Sequence, residues 1–167
     1  MKGQTQDVVV EVMDTTLRDG EQCPGKSYSP RQKFQVAKFM LKHMGVDRVE
    51  VASARVSDGE HRMLTEVMDW ANEHGFGNKV EVLGFVDGKL SVDWIRSAGC
   101  RVMNLLCKGS EKHCKVQLKK SLKQHLHDIS EVVEYAISQG VVVQIYLEDW
   151  SQGMIHSDEY VQHMLKG

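Results

Sequence analysis

Apolar and polar positions along this chain fall into two alternating rhythms. Short runs rich in branched apolar residues, Val8 to Met13, Arg48 to Ala52, Val80 to Phe85, Arg101 to Leu106 and Val141 to Leu147, have the length and composition of β-strands. Between them apolar residues recur every three or four positions, the spacing of one helix face. The first helix opens at Ser29-Pro30, with Ser as N-cap and Pro at the first helical position. Phe34, Ala37, Phe39 and Leu41 are expected on its buried side, and Gly45 ends it. The second starts at Ser57-Asp58-Gly59-Glu60, a capping-box spacing, and buries Met63, Leu64, Val67, Met68 and Ala71. A short helix Val92 to Ser97, a longer one from about Lys123 to Gln139, and Ser157 to Lys166 follow the third, fourth and fifth strands.

Strand and helix in strict alternation predict an α/β fold built on a parallel sheet. No linker or low-complexity tract interrupts the beat, so residues 1–167 read as one domain of about five βα units. A complete eightfold barrel takes about 250 residues. At 167 residues the repeat amounts to an incomplete TIM barrel, expected to leave two sheet edges and an apolar inner face uncovered.

Composition narrows the classes of function. The chain is 41% hydrophobic and 26% charged with a net charge of −2, so it lacks the basic excess of a nucleic-acid binder. No apolar segment follows Met1-Lys2-Gly3-Gln4, and no run approaches the roughly 20 residues of a membrane span. The expectation is a cytoplasmic protein without nucleic-acid or membrane partners. Cys23, Cys100, Cys107 and Cys114 form no C-x-x-C pair and read as reduced thiols.

In a parallel barrel the functional groups stand where strands end and βα loops begin. Five such ends can be read off: Arg18-Asp19, Ser53-Arg55, Phe85-Asp87, Asn104-Leu106 and Tyr146-Glu148. These ends carry polar or charged groups that an apolar strand does not need, which favours a site on that face. Each has a plainer reading beside it. Arg18 and Asp19 could equally form a salt bridge across a loop, and Glu148-Asp149 a solvated pair. Ser53 and Arg55 either line a pocket or pair with Asp87, and Leu83, Leu106 and Tyr146 read as core on composition alone. His125 and His127, two apart in a helical stretch, point in different directions and are assigned to a solvated helix face.

The segment Asp14-Thr15-Thr16-Leu17-Arg18-Asp19-Gly20-Glu21-Gln22 resembles the signature of the metal-dependent acyltransferases and lyases on a TIM barrel. That superfamily includes 2-isopropylmalate, homocitrate and citramalate synthases and hydroxymethylglutaryl-CoA lyase. Asp47 to Ser57, Val82 to Gly88, Asn104 to Ser110 and Tyr146 to Ser151 extend the likeness over nearly the whole chain. They look most like the synthase branch, the citramalate and isopropylmalate synthases.

The resemblance implies that the chain is the N-terminal portion of a catalytic TIM-barrel domain. The implied reaction is a Claisen-type condensation of acetyl-CoA, the co-substrate, with a small 2-oxo acid. Pyruvate, giving citramalate, is favoured over 2-oxoisovalerate, giving 2-isopropylmalate, which would place the protein in isoleucine or leucine biosynthesis. By position in the motif, Asp19 matches a ligand of a divalent metal, Mg²⁺ or Mn²⁺ with Zn²⁺ a further candidate. Arg18 matches the cation that balances charge growing on the substrate oxygen, Glu148 a catalytic carboxylate, and Gln22 a polar neighbour of the pocket. Leu83, Leu106 and Tyr146 would line the side-chain pocket for the 2-oxo acid.

The family's His-x-His metal ligands belong to a later strand, so this chain alone is expected to be inactive. A homodimer is implied for the full-length enzyme. The alternatives are a truncated non-catalytic fragment or binding module, and a lyase of the hydroxymethylglutaryl-CoA type.

Overall fold

The computed structural model describes residues 9–166. Five strands, β1 (Met13–Asp14), β2 (Arg48–Ser53), β3 (Val80–Phe85), β4 (Val102–Lys108) and β5 (Val142–Glu148), form one sheet in sequential order. Every neighbouring pair is parallel. The crossovers carry α1 (Pro30–Phe39), α2 (Asp58–Glu73), α3 (Leu90–Ser97), and the pair α4 (Glu111–His113) and α5 (Leu122–Ser138). After β5 come α6 (Trp150–His156) and α7 (Asp158–Met164). This is the incomplete TIM barrel of βα units that the alternation predicts.

The sheet curls, and side-chain bonds that skip strands show it. In a flat sheet β1 and β5 would lie roughly 19 Å apart. Yet the Tyr146 hydroxyl on β5 reaches Met13 Sδ on β1 at 3.4 Å. Asn104 on β4 likewise donates to Glu50 on β2, and Gln144 on β5 to Glu81 on β3. The convex face packs on the helices: Val49, Val51, Val80, Val82, Met103, Leu105 and Cys107 join Ala37, Leu64, Val67, Ile95, Val132 and Ala136 in one buried cluster.

The helix signals act as the sequence predicts, with one exchange. Ser29 and Ser121 each form a reciprocal capping box with the Gln three residues on. At Ser57 only half of the box forms, because the Glu60 carboxylate goes instead to the Lys33 ammonium at 2.9 Å. Lys33, only 2% exposed and also paired with Glu21 at 2.5 Å, takes a buried place on α1, whereas Phe39, expected to be buried, is 55% exposed.

Three further expectations are corrected. The first strand is not a six-residue run: Val9 and Val10 are exposed, and only Met13–Asp14 pair with β2, with Val8 outside the described residues. A β-branched run becomes a strand only where a partner offers backbone groups, and here pairing begins at Val12, whose carbonyl accepts the Asp47 and Arg48 amides. The inner face is not simply apolar, since Glu50, Glu81 and Asn104 lie on it fully buried. His125 is not on a solvated face. It is 1% exposed, behind the end of β4, where the Lys108 amide donates to its Nε2 at 3.0 Å.

Candidate active site at the ends of the strands

After β1 the chain coils tightly: the Thr15 carbonyl accepts the amides of Arg18, Asp19 and Gly20, and Asp14 Oδ1 accepts the Thr16 amide. Leu17, fully buried, anchors that coil and sends Arg18 inward along the concave face. Arg18 Nε donates to Glu50 Oε2 at 2.5 Å and Nη1 to Asp19 Oδ1 at 3.0 Å. Asn104 Nδ2 occupies the other Glu50 oxygen at 2.8 Å. Burying a carboxylate is costly unless it is hydrogen-bonded, and these two donors answer both Glu50 oxygens. The guanidinium is thereby fixed at the mouth, with Nη2 free of protein partners among the described residues.

One layer deeper, Glu81 accepts Gln144 Nε2 at 2.9 Å and faces Arg48 Nη1 at 3.4 Å, while Arg48 also pairs with Glu11. Asn104 Oδ1 and Glu81 Oε2 are buried without partners among the described residues. Both are acceptors, so what they lack is a donor and not an anion. Burial, and after it the charges of Glu50 and Glu81, push the Tyr146 phenol well above its usual range. Tyr146 is therefore neutral and can donate a hydrogen bond.

The expected site residues divide into two groups. Leu106, Tyr146 and Glu148 share an open depression of about 520 Å³ with Ile145, Leu147 and Trp150 at the free β5 edge. Arg18 and Asp19 sit across the mouth with Glu50. Tyr146, through Met13, is the link between the two. Leu83 is buried beside Asn104 in the register of β3 and β4. Gln22 is exposed on a 3₁₀ turn (Gly20–Gln22), and its side chain makes no hydrogen bond among the described residues. Arg55 pairs with Asp87 at 2.9 Å, which realises the plainer of its two readings.

Asp19 is the one residue assigned to a metal. Its side chain is 60% exposed and shared with Arg18, and no cluster of three His, Cys, Asp or Glu able to hold a metal occurs among the described residues. A hard cation needs about six ligands, so these residues by themselves do not make its site. His127 is exposed and near Glu131, and His125 is spent on a backbone amide.

Sequence reasoning missed Glu50, which holds Arg18 in place, and gave no role to Asn104 or Lys108. The signal for the first two was present: a carboxylate in Val49-Glu50-Val51 and an amide in Met103-Asn104-Leu105 interrupt apolar strands. Lys108 ends β4, and its ammonium contacts the Glu148 carboxylate at the end of β5. Asp149 follows in a left-handed conformation (φ 65°), and its carboxylate accepts the Ser110 hydroxyl at 2.8 Å with His113 Nε2 at 3.5 Å. Glycine is required at the crossing point, because a Cβ on Gly153 would stand 2.2 Å from the Gly109 carbonyl oxygen.

This arrangement has relatives. The sequence profile of the HMGL-like family matches residues 9–163. The chain belongs to the HMGL-like family. It is 34% identical over 141 residues to a 2-isopropylmalate synthase of Saccharolobus solfataricus, covering 84% of this chain and 35% of that protein. It is 35% identical over 144 residues to an (R)-citramalate synthase of Methanocaldococcus jannaschii, covering 85% and 28%. The chain thus spans about a third of the length of these curated relatives. Among solved structures, a hydroxymethylglutaryl-CoA lyase from Pseudomonas aeruginosa aligns with a TM-score of 0.64 at 18% identity, over 83% of this chain and 45% of that one. At that identity the likeness speaks for the fold alone. No helix among the described residues is long and apolar enough to cross a membrane.

Proposed function

We propose that this chain is the N-terminal portion of a catalytic TIM-barrel domain that condenses acetyl-CoA with a small 2-oxo acid. The observation that carries the reading is Arg18 locked on buried Glu50 at the mouth, with Nη2 free of partners among the described residues and Asp19 beside it. A cation fixed in advance is what a developing alkoxide needs, since it costs no reorganisation when charge appears. In this reading Glu148 accepts a proton from the acetyl methyl, the resulting carbanion adds to the ketone carbon, and Arg18 faces the oxygen that becomes negative. The alkoxide takes up a proton to become the hydroxyl, and water then cleaves the thioester to release CoA and the hydroxy diacid. Asp19 offers one ligand to a divalent cation whose remaining ligands come from outside the described residues, and no step is assigned to that cation.

Pyruvate is the favoured acceptor. Leu83, Leu106 and Tyr146 leave bulk at the strand ends, which suits a methyl side chain better than a branched one. The proposal includes a cytoplasmic location, a place in branched-chain amino-acid biosynthesis and, for the full-length enzyme, a homodimer. The rival readings are a truncated non-catalytic fragment or binding module, and a lyase of the hydroxymethylglutaryl-CoA type.

The test is to read the coding sequence past the Gly167 codon, then to assay the complete reading frame with acetyl-CoA, Mn²⁺ and either pyruvate or 2-oxoisovalerate, following CoA release. Release with pyruvate in excess over the branched acid is expected. Preference for 2-oxoisovalerate overturns the choice of acceptor, and silence with both acids overturns the synthase reading in favour of the binding module or a lyase.

A further inference from the structure

Lys108 has no part in the reading above, yet its surroundings are built with more care than a surface ion pair requires. Its side chain is 15% exposed, and its ammonium contacts Glu148, its direct register partner on β5. The backbone of Lys108 is gripped from two helices at once. Its amide donates to His125 Nε2 of α5 at 3.0 Å, and its carbonyl accepts the Tyr160 hydroxyl of α7 at 2.9 Å. His125 can accept there only as the neutral imidazole, and burial, which holds its basicity below the usual histidine value, keeps it so.

Glu148 is held in the same manner. Its carbonyl accepts the Gly109 amide at 2.7 Å, and Asp149 next to it is tied to Ser110, which caps α4, and to His113 of α4. Gly109 has no room for a Cβ, which would lie 2.9 Å from Leu147 Cβ. Two strand ends are thus stitched together through their backbones, with the Lys108–Glu148 side-chain pair between them.

We infer that Lys108 is a positioning residue for Glu148: braced from behind by His125 and Tyr160, it fixes the carboxylate at the mouth of the half-barrel. This rests on the assignment of Glu148 as the proton acceptor. A surface ion pair at a strand end needs no such bracing, because its worth is small and tolerant of geometry. A proton acceptor does need it, since a misplacement of about 1 Å can cost a hundredfold in rate.

The test compares the native chain with K108A, K108R and Y160F. Side-chain relaxation of isotopically labelled Glu148, read by NMR on the full chain, needs no turnover. K108A is expected to lower the order of the Glu148 side chain, with K108R and added methylammonium restoring it, and Y160F to lower it less. In the complete reading frame K108A is expected to cut kcat about tenfold with KM for pyruvate within about twofold, and methylammonium to recover part of the loss. If Glu148 is as ordered in K108A as in the native chain, the inference is overturned whatever the turnover. If Glu148 loosens but the native protein releases no CoA, the positioning stands and the synthase reading falls. Unfolding of K108A that K108R prevents, without any change in Glu148 order in K108R or Y160F, reduces the pair to a structural one and also overturns it.

Discussion

The two faces of the same five strands obey different rules. On the convex face Val49, Val51, Val82, Met103 and Leu105 pack against helices and could be exchanged for other apolar residues of similar volume at modest cost. On the concave face alternate positions of those strands carry Glu50, Glu81, Asn104 and Gln144, each matched to a named partner. Burying a carboxylate is costly and a hydrocarbon would serve stability as well, so the concave face is not explained by stability. The difference teaches where to look for chemistry: the convex face holds the fold, and the concave face holds Arg18 at the mouth.

The largest effect that would sharpen this contrast is at Glu50. Removing it in E50A strips Arg18 and Asn104 of their partner and should cost about 4 kcal/mol in urea unfolding, with E50Q milder. A loss below about 1 kcal/mol would show that the concave charges are not mutually dependent. On the other face, L105A should cost about 3 kcal/mol by leaving a cavity, and added ligands should not restore it.

Behind the β4 end, His125 makes stability depend on pH. Its folded-state value is lowered from 6.5, first by burial and then by the charges of Lys120 and Lys108, against the opposing pull of Asp128. Its contribution is therefore intact above the unfolded value and is lost as pH falls below 6.5 towards the folded value. Melting temperature should drop over that interval in the native chain and drop less in H125Q, and parallel profiles would remove His125 as the cause. A smaller loss, about 1 kcal/mol, is expected for S121A, which opens the capping box of α5. The smallest is I145K on the free β5 edge: thermal stability should stay within about 0.5 kcal/mol while light scattering shows less self-association.

Much of the architecture was legible from the order of residues. β3 matches its expected bounds, α2 starts after its expected cap Ser57, and α5 and β5 agree to within a residue or two, because turn signals and caps are local. The first strand failed for the opposite reason, since Val9, Val10 and Val12 have strand propensity but, among the described residues, only Val12 finds a backbone partner. At the site, the family resemblance picked out Arg18, Asp19 and Glu148, which stand at the mouth, but gave no hint that Glu50, 32 positions from Arg18, holds its guanidinium. Lys108 escaped notice because a lysine after an apolar strand is an ordinary solvated end until a carboxylate stands next to it.

What the sequence by itself determined is the parallel βα repeat, its helix starts and stops, and the family signature after the first strand. Those features depend on neighbours within a few residues or on side-chain periodicity. What only the tertiary structure decided is the curl of the sheet, the polar concave face and the pairs Arg18–Glu50, Asn104–Glu50 and Lys108–Glu148. Partners 32, 54 and 40 positions apart meet only when twist and register bring their strands to a common axis.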